Sequence, residues 1–345
     1  MCSGIISRWM TKKVHYFWLY ILLLAAVAGL FCIGLLRGAV RIPLDQIFKI
    51  VFGGFDGRAA WQVIVLETRL PQTVTALLAG AALSVSGLML QTLFKNPLAG
   101  PSIMGISDGA NLGVAVAMIW MGAASYLSTI VAALIGAGVV LLLILWFSRR
   151  VPNSVMLLII GLMLGYLASS LISILNYHAS ADKVHQYVMW GMGDFSGVSL
   201  AKLPWLSGFV LAGLFGAWLL VKPLNAMLLG EAYAANLGVN VRRTRFRILL
   251  CTGVLTGVVT AFCGPISFIG LDVPHIARLL TGTDNHRHLL PVTLLCGSCV
   301  ALLCSVLTVW PGSNHLLPLS AVTPLIGVPV ILYVIINRRK LHYFN

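Results

Sequence analysis

Residues 109–148 read GANLGVAVAMIWMGAASYLSTIVAALIGAGVVLLLILWFS, and none of these side chains is charged. One membrane-crossing helix needs about 20 apolar residues, so this run is long enough for two. The break falls at Met121-Gly122-Ala123-Ala124-Ser125, because glycine and small residues punctuate helices. A second long uncharged run, 288–337, breaks at Trp310-Pro311-Gly312-Ser313-Asn314, with Pro318 beyond. Working outward, shorter uncharged runs cover 14–36, 70–94, 151–181, 203–221 and 248–271. These runs place nine clear spans near 17–36, 69–93, 104–120, 126–147, 154–175, 203–221, 247–263, 288–308 and 319–336. A shorter helical piece, 266–281, supplies a tenth and ends near Arg278.

Composition points the same way. Of 345 residues, 59% are hydrophobic and only 9% are charged, against about 25% charged in an ordinary soluble protein. That balance excludes a soluble enzyme, a disordered protein and a nucleic-acid binder. The net charge of +14 reads as a topology signal, since Lys and Arg gather in cytoplasmic loops. With ten spans both termini are cytoplasmic, and the inner segments hold 16 of the 23 Lys and Arg. The outer segments hold Arg37, Arg41, Lys49, Arg58, Arg69, Lys183 and Lys202. With nine spans the basic Arg338-Arg339-Lys340 would fall outside, so ten is preferred. The apolar run Phe17–Leu36 is longer than a signal-peptide core and no A-x-A site follows it. It is read as the first span. The fold class is therefore all-α: a polytopic membrane protein with one domain over residues 1–345.

Three connections are long enough to carry function. Residues 37–68 lie outside and contain a short amphipathic helix, Leu44–Phe52. Residues 176–202 also lie outside. Residues 222–246 lie inside and read as two short helices joined at Gly230, a pattern that suits a docking surface.

Much chemistry is missing. No G-x-x-x-x-G-K-[ST] occurs, so the chain has no phosphate-cradling P-loop of its own. Among the acids only Asp108 and Asp272 lie near spans. Asp108 fits a helix N-terminal position favoured by the dipole, and His275 after Pro274 fits a structural hydrogen bond. Cys296 and Cys299 form a C-x-x-C in a charge-free stretch with no second pair, which favours small buried packing residues over metal or redox chemistry. The odd cysteine total argues against a disulfide framework. No nucleophile–base pair can be assembled. The chain is read as a non-enzyme with no catalytic residues, metal site or cofactor of its own.

Two segments are rich in small and polar residues. The first runs Gly80-Ala81-Ala82-Leu83-Ser84-Val85-Ser86-Gly87, then Gln91, Asn96-Pro97-Leu98-Ala99-Gly100-Pro101 and Gly105-Ile106-Ser107-Asp108. The second runs from Gly257 to Phe262, then Gly264-Pro265-Ile266-Ser267-Phe268-Ile269-Gly270-Leu271. Small residues let membrane helices approach closely. One segment starts outside and the other inside, a weak hint of an inverted repeat.

Ordered motifs carry a family resemblance that covers most of the chain, from about Arg69 to Tyr333. They are Arg69-Leu70-Pro71 with Thr73, Gln91 and Phe94, Asn96-Pro97-Leu98-Ala99, Gly230-Glu231, Leu237-Gly238-Val239 and Gly264-Pro265-Ile266. Phe268-Ile269-Gly270-Leu271, Pro274-His275-Ile276-Ala277-Arg278 and Leu289-Leu290-Pro291 complete the series. The chain resembles the FecCD-type permeases, the membrane subunits of ABC importers for ferric siderophores, haem and cobalamin. The resemblance implies a ten-helix subunit of type II importer fold in the bacterial inner membrane. It implies a homodimer that sits on two ABC ATPase subunits, which bind ATP and Mg, and receives ligand from an extracytoplasmic binding protein.

Residue roles follow from the same resemblance. Leu229, Gly230, Glu231, Ala234, Leu237 and Gly238 match the coupling helices, residues 222–242, that dock on the ATPase. Asn96 and Leu98 match a loop that closes the cytoplasmic end of the path, and Ser154 and Val155 match the other gating loop. The span they open faces the dimer axis in the family, so Ser169, Ser170 and Ser173 are either pathway-lining or packing residues. Arg69 matches an outer-face arginine that pairs with the binding protein. The motif's second arginine is Gln72 here, and residues 309–318 contain no Lys or Arg, so docking rests on fewer cations, with Arg58 and Lys202 as the candidates to assist. Substitution of Glu231 or Gly238 is expected to uncouple transport with folding intact. The rivals are an ion-coupled secondary transporter dependent on Asp108 or Asp272, and an intramembrane enzyme, which would need a clustered His/Asp site. His178, His185, Met189 and Met192 in the outer loop could suit haem, although lone histidines are usually solvated. The residues do not separate siderophore, haem and cobalamin.

Overall fold

A computed structural model of the chain describes residues 2–336 apart from 39, 41, 54–56, 123–124, 152 and 310–316. The break at 310–314 and the basic Arg338–Lys340 segment therefore lie outside the described residues.

The described chain is helical. In order the helices are α1 (Cys2–Leu36), α2 (Leu44–Phe52), α3 (Ala59–Val63), α4 (Leu70–Phe94), α5 (Ile106–Ala115), α6 (Tyr126–Arg150), α7 (Ser154–Tyr177) and α8 (Ala181–Gly191). They continue with α9 (Leu203–Leu219), α10 (Val221–Leu228), α11 (Glu231–Asn236), α12 (Val241–Cys263), α13 (Ile269–Thr281), α14 (His286–Thr308) and α15 (Leu319–Ile336). Six described helical stretches are long and apolar enough to cross a membrane, and the pair α9–α10, bent by 51°, adds a seventh. Two shorter apolar stretches, Ile106–Trp120 and Leu319–Tyr333, together with α13, account for the expected ten.

The amphipathic helix at Leu44–Phe52 is where the sequence placed it. Two features differ. The outer segment 37–68 is not loop throughout: residues 59–69 are helical and run without interruption into α4, making one 36-residue rod, Ala59–Phe94. Pro71 would break such a rod, because it lacks an N–H and crowds the carbonyl four residues back. The π-helical turn Ile64–Arg69 lies just before it, with the Leu70 N–H reaching back five residues to Val65 O. The outer segment 176–202 likewise contains α8, which packs on the π-helical end of α5, Val116–Trp120.

The core is built around α4, which packs against α9, α12, α13 and α14. Its residues 78–94 are all buried. A helix can be surrounded in this way only if it is thin. A methyl group on Gly87 would collide with the Gly270 carbonyl of α13, and one on Gly80 with the Gly297 carbonyl of α14. Ser84 Oγ uses the close approach to donate to Thr293 O at 3.1 Å. Ser86 Oγ lies 3.1 Å from Thr256 Oγ1 on α12. The small residues quoted above therefore act in packing.

Candidate functional site

The functional candidates converge at one end of the bundle, where α10 and α11 form a hairpin. Gly230 joins them at φ +112, a left-handed backbone that favours glycine. Its α-carbon also faces Lys95 Nζ, which a methyl group there would approach to 3.4 Å. Glu231 then opens α11 with its carboxylate turned back toward the bundle. Both of its oxygens accept from Arg245 Nη2 at 3.0 Å, and Oε1 also accepts from Ser154 Oγ at 2.7 Å. Arg245 Nη1 donates to Val151 O at 3.0 Å. The Arg245 side chain is only 5% exposed, whereas Glu231 is 38% exposed. One carboxylate thus ties the hairpin to the base of α12 and to the first residue of α7.

Beside this ion pair lies a cleft of about 340 Å³ lined by Thr92, Lys95, Ser154, Val155, Met227 and Glu231 among others. The structure brings the expected gate residues Ser154 and Val155 together with the expected coupling residue Glu231. Asn96 and Leu98 occupy the neighbouring turn. Asn96 Oδ1 accepts from Leu98 N at 2.9 Å, and His275 Nε2 donates to Pro97 O at 2.8 Å. His275 holds the structural role expected of it, and the loop after α4 is pinned to α13.

Two further links tie this end together. Gln91 Nε2 donates to Leu271 O at 3.0 Å while its Oε1 accepts from Arg278 Nη1 at 2.6 Å. Arg278 Nε in turn donates to Asp284 Oδ1 at 3.1 Å. On the hairpin side, Asn225 Oδ1 of α10 accepts from both the backbone N and Nδ1 of His286, at 2.8 and 2.9 Å. His286 Nε2 lies 2.9 Å from Thr92 Oγ1. The buried imidazole therefore bridges α10 to the end of α4.

The other expected residues separate into distinct roles. Leu229, Tyr233 and Leu237 are exposed apolar tips of the hairpin. Ala234 is fully buried, so it anchors α11 rather than presenting a surface. Gly238 closes α11 at φ +82 and donates its N–H to Ala235 O at 3.0 Å. Ser169 and Ser173 lie far along α7 on its exposed side, with Ser173 Oγ donating to Ser169 O at 3.0 Å. α7 buries only a stripe, Leu157, Gly161, Gly165 and Ala168, and leaves a long apolar face open.

Arg69 requires a correction. It was expected on the outer surface, but it is 4% exposed. Its guanidinium donates to Leu35 O at 2.9 Å, Leu36 O at 3.1 Å and Val40 O. The Leu35 and Leu36 carbonyls end α1, where a helix leaves its acceptors unpaired and carries partial negative charge. The arginine is an internal cap for the first span. Arg58 is exposed, 5.6 Å over the Trp61 ring, and Lys202 sits 3.7 Å over the Tyr126 ring. In α8 the Tyr187 phenol is pushed up to about 12 by burial, with a smaller push from the Asp108 charge. No group of three or more His, Cys, Asp or Glu is placed to hold a metal among the described residues.

Arg245, Asn225 and His286 were not picked out from sequence. Arg245 is one of four arginines within six residues of the inner loop, and only the fold selects which one faces Glu231.

Comparison with known proteins places this geometry in a family. The FecCD transport family matches residues 22–337. The vitamin B12 import system permease protein BtuC of Klebsiella pneumoniae is 36% identical over 282 residues, covering 81% of this chain and 85% of that protein. Its namesake from Salmonella typhi is 36% identical over 283 residues, covering 82% and 86%. A solved structure of a metal-chelate type ABC transporter in an inward-facing conformation is 30% identical, with a TM-score of 0.81 over 94% of this chain and 98% of that one. PsaBC from Streptococcus pneumoniae, solved with a Fab, is 17% identical with a TM-score of 0.50, a likeness of fold alone. With a match over nearly the whole chain and relatives at this identity, the protein belongs to the FecCD transport family.

Proposed function

We propose that this chain is the permease subunit of an ATP-driven ABC importer that carries a metal-chelate ligand across a bacterial inner membrane by alternating access. Among ligands, cobalamin has the first claim, because the relatives at 36% identity are vitamin B12 permeases. Ferric siderophore and haem are the alternatives. The working unit is a homodimer on two ABC ATPases, which hold ATP and Mg, fed by an extracytoplasmic binding protein. Both termini and the α10–α11 hairpin face the cytoplasm, in keeping with the distribution of Lys and Arg.

The observation that carries this reading is the Glu231 junction. The hairpin offers exposed Leu229, Tyr233 and Leu237 to a partner, while Glu231 joins it to Ser154 and Arg245 beside the cleft. A push on the tips is thereby delivered to the start of α7 and the base of α12. Ser154, Val155, Asn96 and Leu98 act as the gate, and Ser169 and Ser173 line the path along the dimer axis. On the outer face Arg58, rather than the buried Arg69, meets the binding protein.

The test is reconstitution in vesicles with the ATPase and binding protein encoded beside the gene. ATP-dependent uptake of radiolabelled cobalamin, abolished when the ATPase is omitted, supports the reading. Uptake driven by an ion gradient without the ATPase would establish the rival carrier instead. ATP-dependent uptake of a ferric siderophore or haem, but not of cobalamin, would keep the importer and replace the ligand.

A further inference from the structure

A groove on the flank of the bundle shares no lining residue with the cleft beside Glu231. Between α9 and α12 lies a cavity of about 520 Å³ lined by Ala212, Gly213, Gly216, Leu219, Arg247 and Leu250 among others. A second, also about 520 Å³, begins at the same Ala212 and follows α9 past Phe209 and Gly208 to Trp205. Together they form one trench from Trp205 to Leu219, about 21 Å long at the helical rise of 1.5 Å per residue. Half of the roughly 30 Å hydrocarbon core is about 15 Å, so the trench is longer than one leaflet is deep. Glycine makes the hollow. A methyl on Gly208 would meet nothing within 4 Å, and one on Gly216 would meet only Cys251 Sγ at 3.5 Å.

The two ends differ chemically. The Trp205 end is apolar. At the hairpin end Arg247 lines the cavity and is exposed. Arg243 lies one turn earlier on the same face of α12, and Lys222 follows Leu219 and Leu220 around the bend into α10; both are exposed. Neither of the ion pairs formed among the described residues, Arg245–Glu231 and Arg278–Asp284, involves them. A hollow apolar trench between two spanning helices, closed at one end by unneutralised cations, complements a molecule with a long hydrocarbon tail and an anionic head.

We propose that the α9–α12 trench binds an anionic phospholipid from the leaflet on the hairpin side, with one acyl chain along Gly216 and Gly208 and its phosphate at Arg247 and Lys222. The lipid would lie against α12, the helix whose base carries Arg245, and would steady it without entering the path.

The test is native mass spectrometry of the purified full chain in detergent, titrated with dioleoyl phosphatidylglycerol or dioleoyl phosphatidylcholine. Each basic side chain near a headgroup favours the anionic lipid about fivefold. Wild type should therefore prefer phosphatidylglycerol by at least that factor. Arg247→Gln with Lys222→Gln should lower the preference by at least fivefold. Gly216→Leu should reduce retention of both lipids by blocking the tail. Arg150→Gln, whose guanidinium sits 4.5 Å over Trp146, should change nothing. Equal retention of both lipids by wild type, or an unchanged preference in the double charge variant, overturns the proposal. A groove occupied by a second copy of the chain would show no lipid preference and a shifted monomer–dimer ratio in Gly216→Leu, which also overturns it.

Discussion

Replacing Glu231 by alanine tests the junction most directly. The substitution removes both 3.0 Å contacts to Arg245 and the 2.7 Å contact from Ser154. What remains is a guanidinium on a side chain only 5% exposed, losing its carboxylate. Breaking a fully buried pair costs about 3–5 kcal/mol. Glu231 is 38% exposed, so water reaches its side of the pair and screens it, and the loss should be nearer 2 kcal/mol. Removing the cation as well relieves the stranded charge. Glu231→Ala with Arg245→Met should therefore be less damaging than the two single losses added, by about 1–2 kcal/mol. Thermal unfolding of the four proteins in detergent measures this cycle. ATP-dependent uptake measured in parallel should fall in all three variants, including the double variant, whose stability is partly recovered. Strict additivity of the losses, or a stable Glu231→Ala protein with normal uptake, refutes the junction. The sequence alone implied that Glu231 could be changed with folding intact; the buried partner is the reason to expect a stability loss as well.

Three other outcomes follow from the packing. Gly87→Ala sets a methyl against the Gly270 carbonyl and should cost about 1–3 kcal/mol, while Gly138→Ala on α6, with nothing within 4 Å, should not lower the thermal midpoint. Asn225→Ala removes the acceptor for two N–H groups of the fully buried His286 and should cost about 2 kcal/mol; Asn225→Asp, which keeps an acceptor, should cost less by the same thermal measurement. Arg69→Met strands the carbonyls at the end of α1 and should lower stability by about 2 kcal/mol without weakening capture of the binding protein, whereas Arg58→Ala should weaken capture and leave stability alone.

Much of this molecule is legible in one dimension. Charge-free runs marked the spans because an ionised side chain in hydrocarbon is costly wherever it falls. Glycine and proline marked their breaks, and the joint at Gly230 was visible because two helix-forming stretches flank it. The motifs quoted from Arg69 to Pro291 carried the family. The helical residues 59–69 escaped notice because Pro71 ordinarily ends a helix, and the π-helical turn before it has no distinct composition. Arg69 was misplaced for a related reason. Its charge and its position beside a span suit an outer face equally well, and only the chain's return past Leu35, Leu36 and Val40 supplies the carbonyls that draw it inward.

The sequence by itself determined the solvent in which this chain folds, the number of spans and the family, because those depend on composition and on order along the chain. The tertiary structure decided the partners. It chose Arg245 from among neighbouring arginines to face Glu231, brought Asn225 to His286 across 61 positions, and opened a trench where glycines of α9 meet Arg247 of α12. These are meetings between helices distant in sequence. They are settled by which faces pack together, and that choice belongs to the whole bundle, not to any one of its runs.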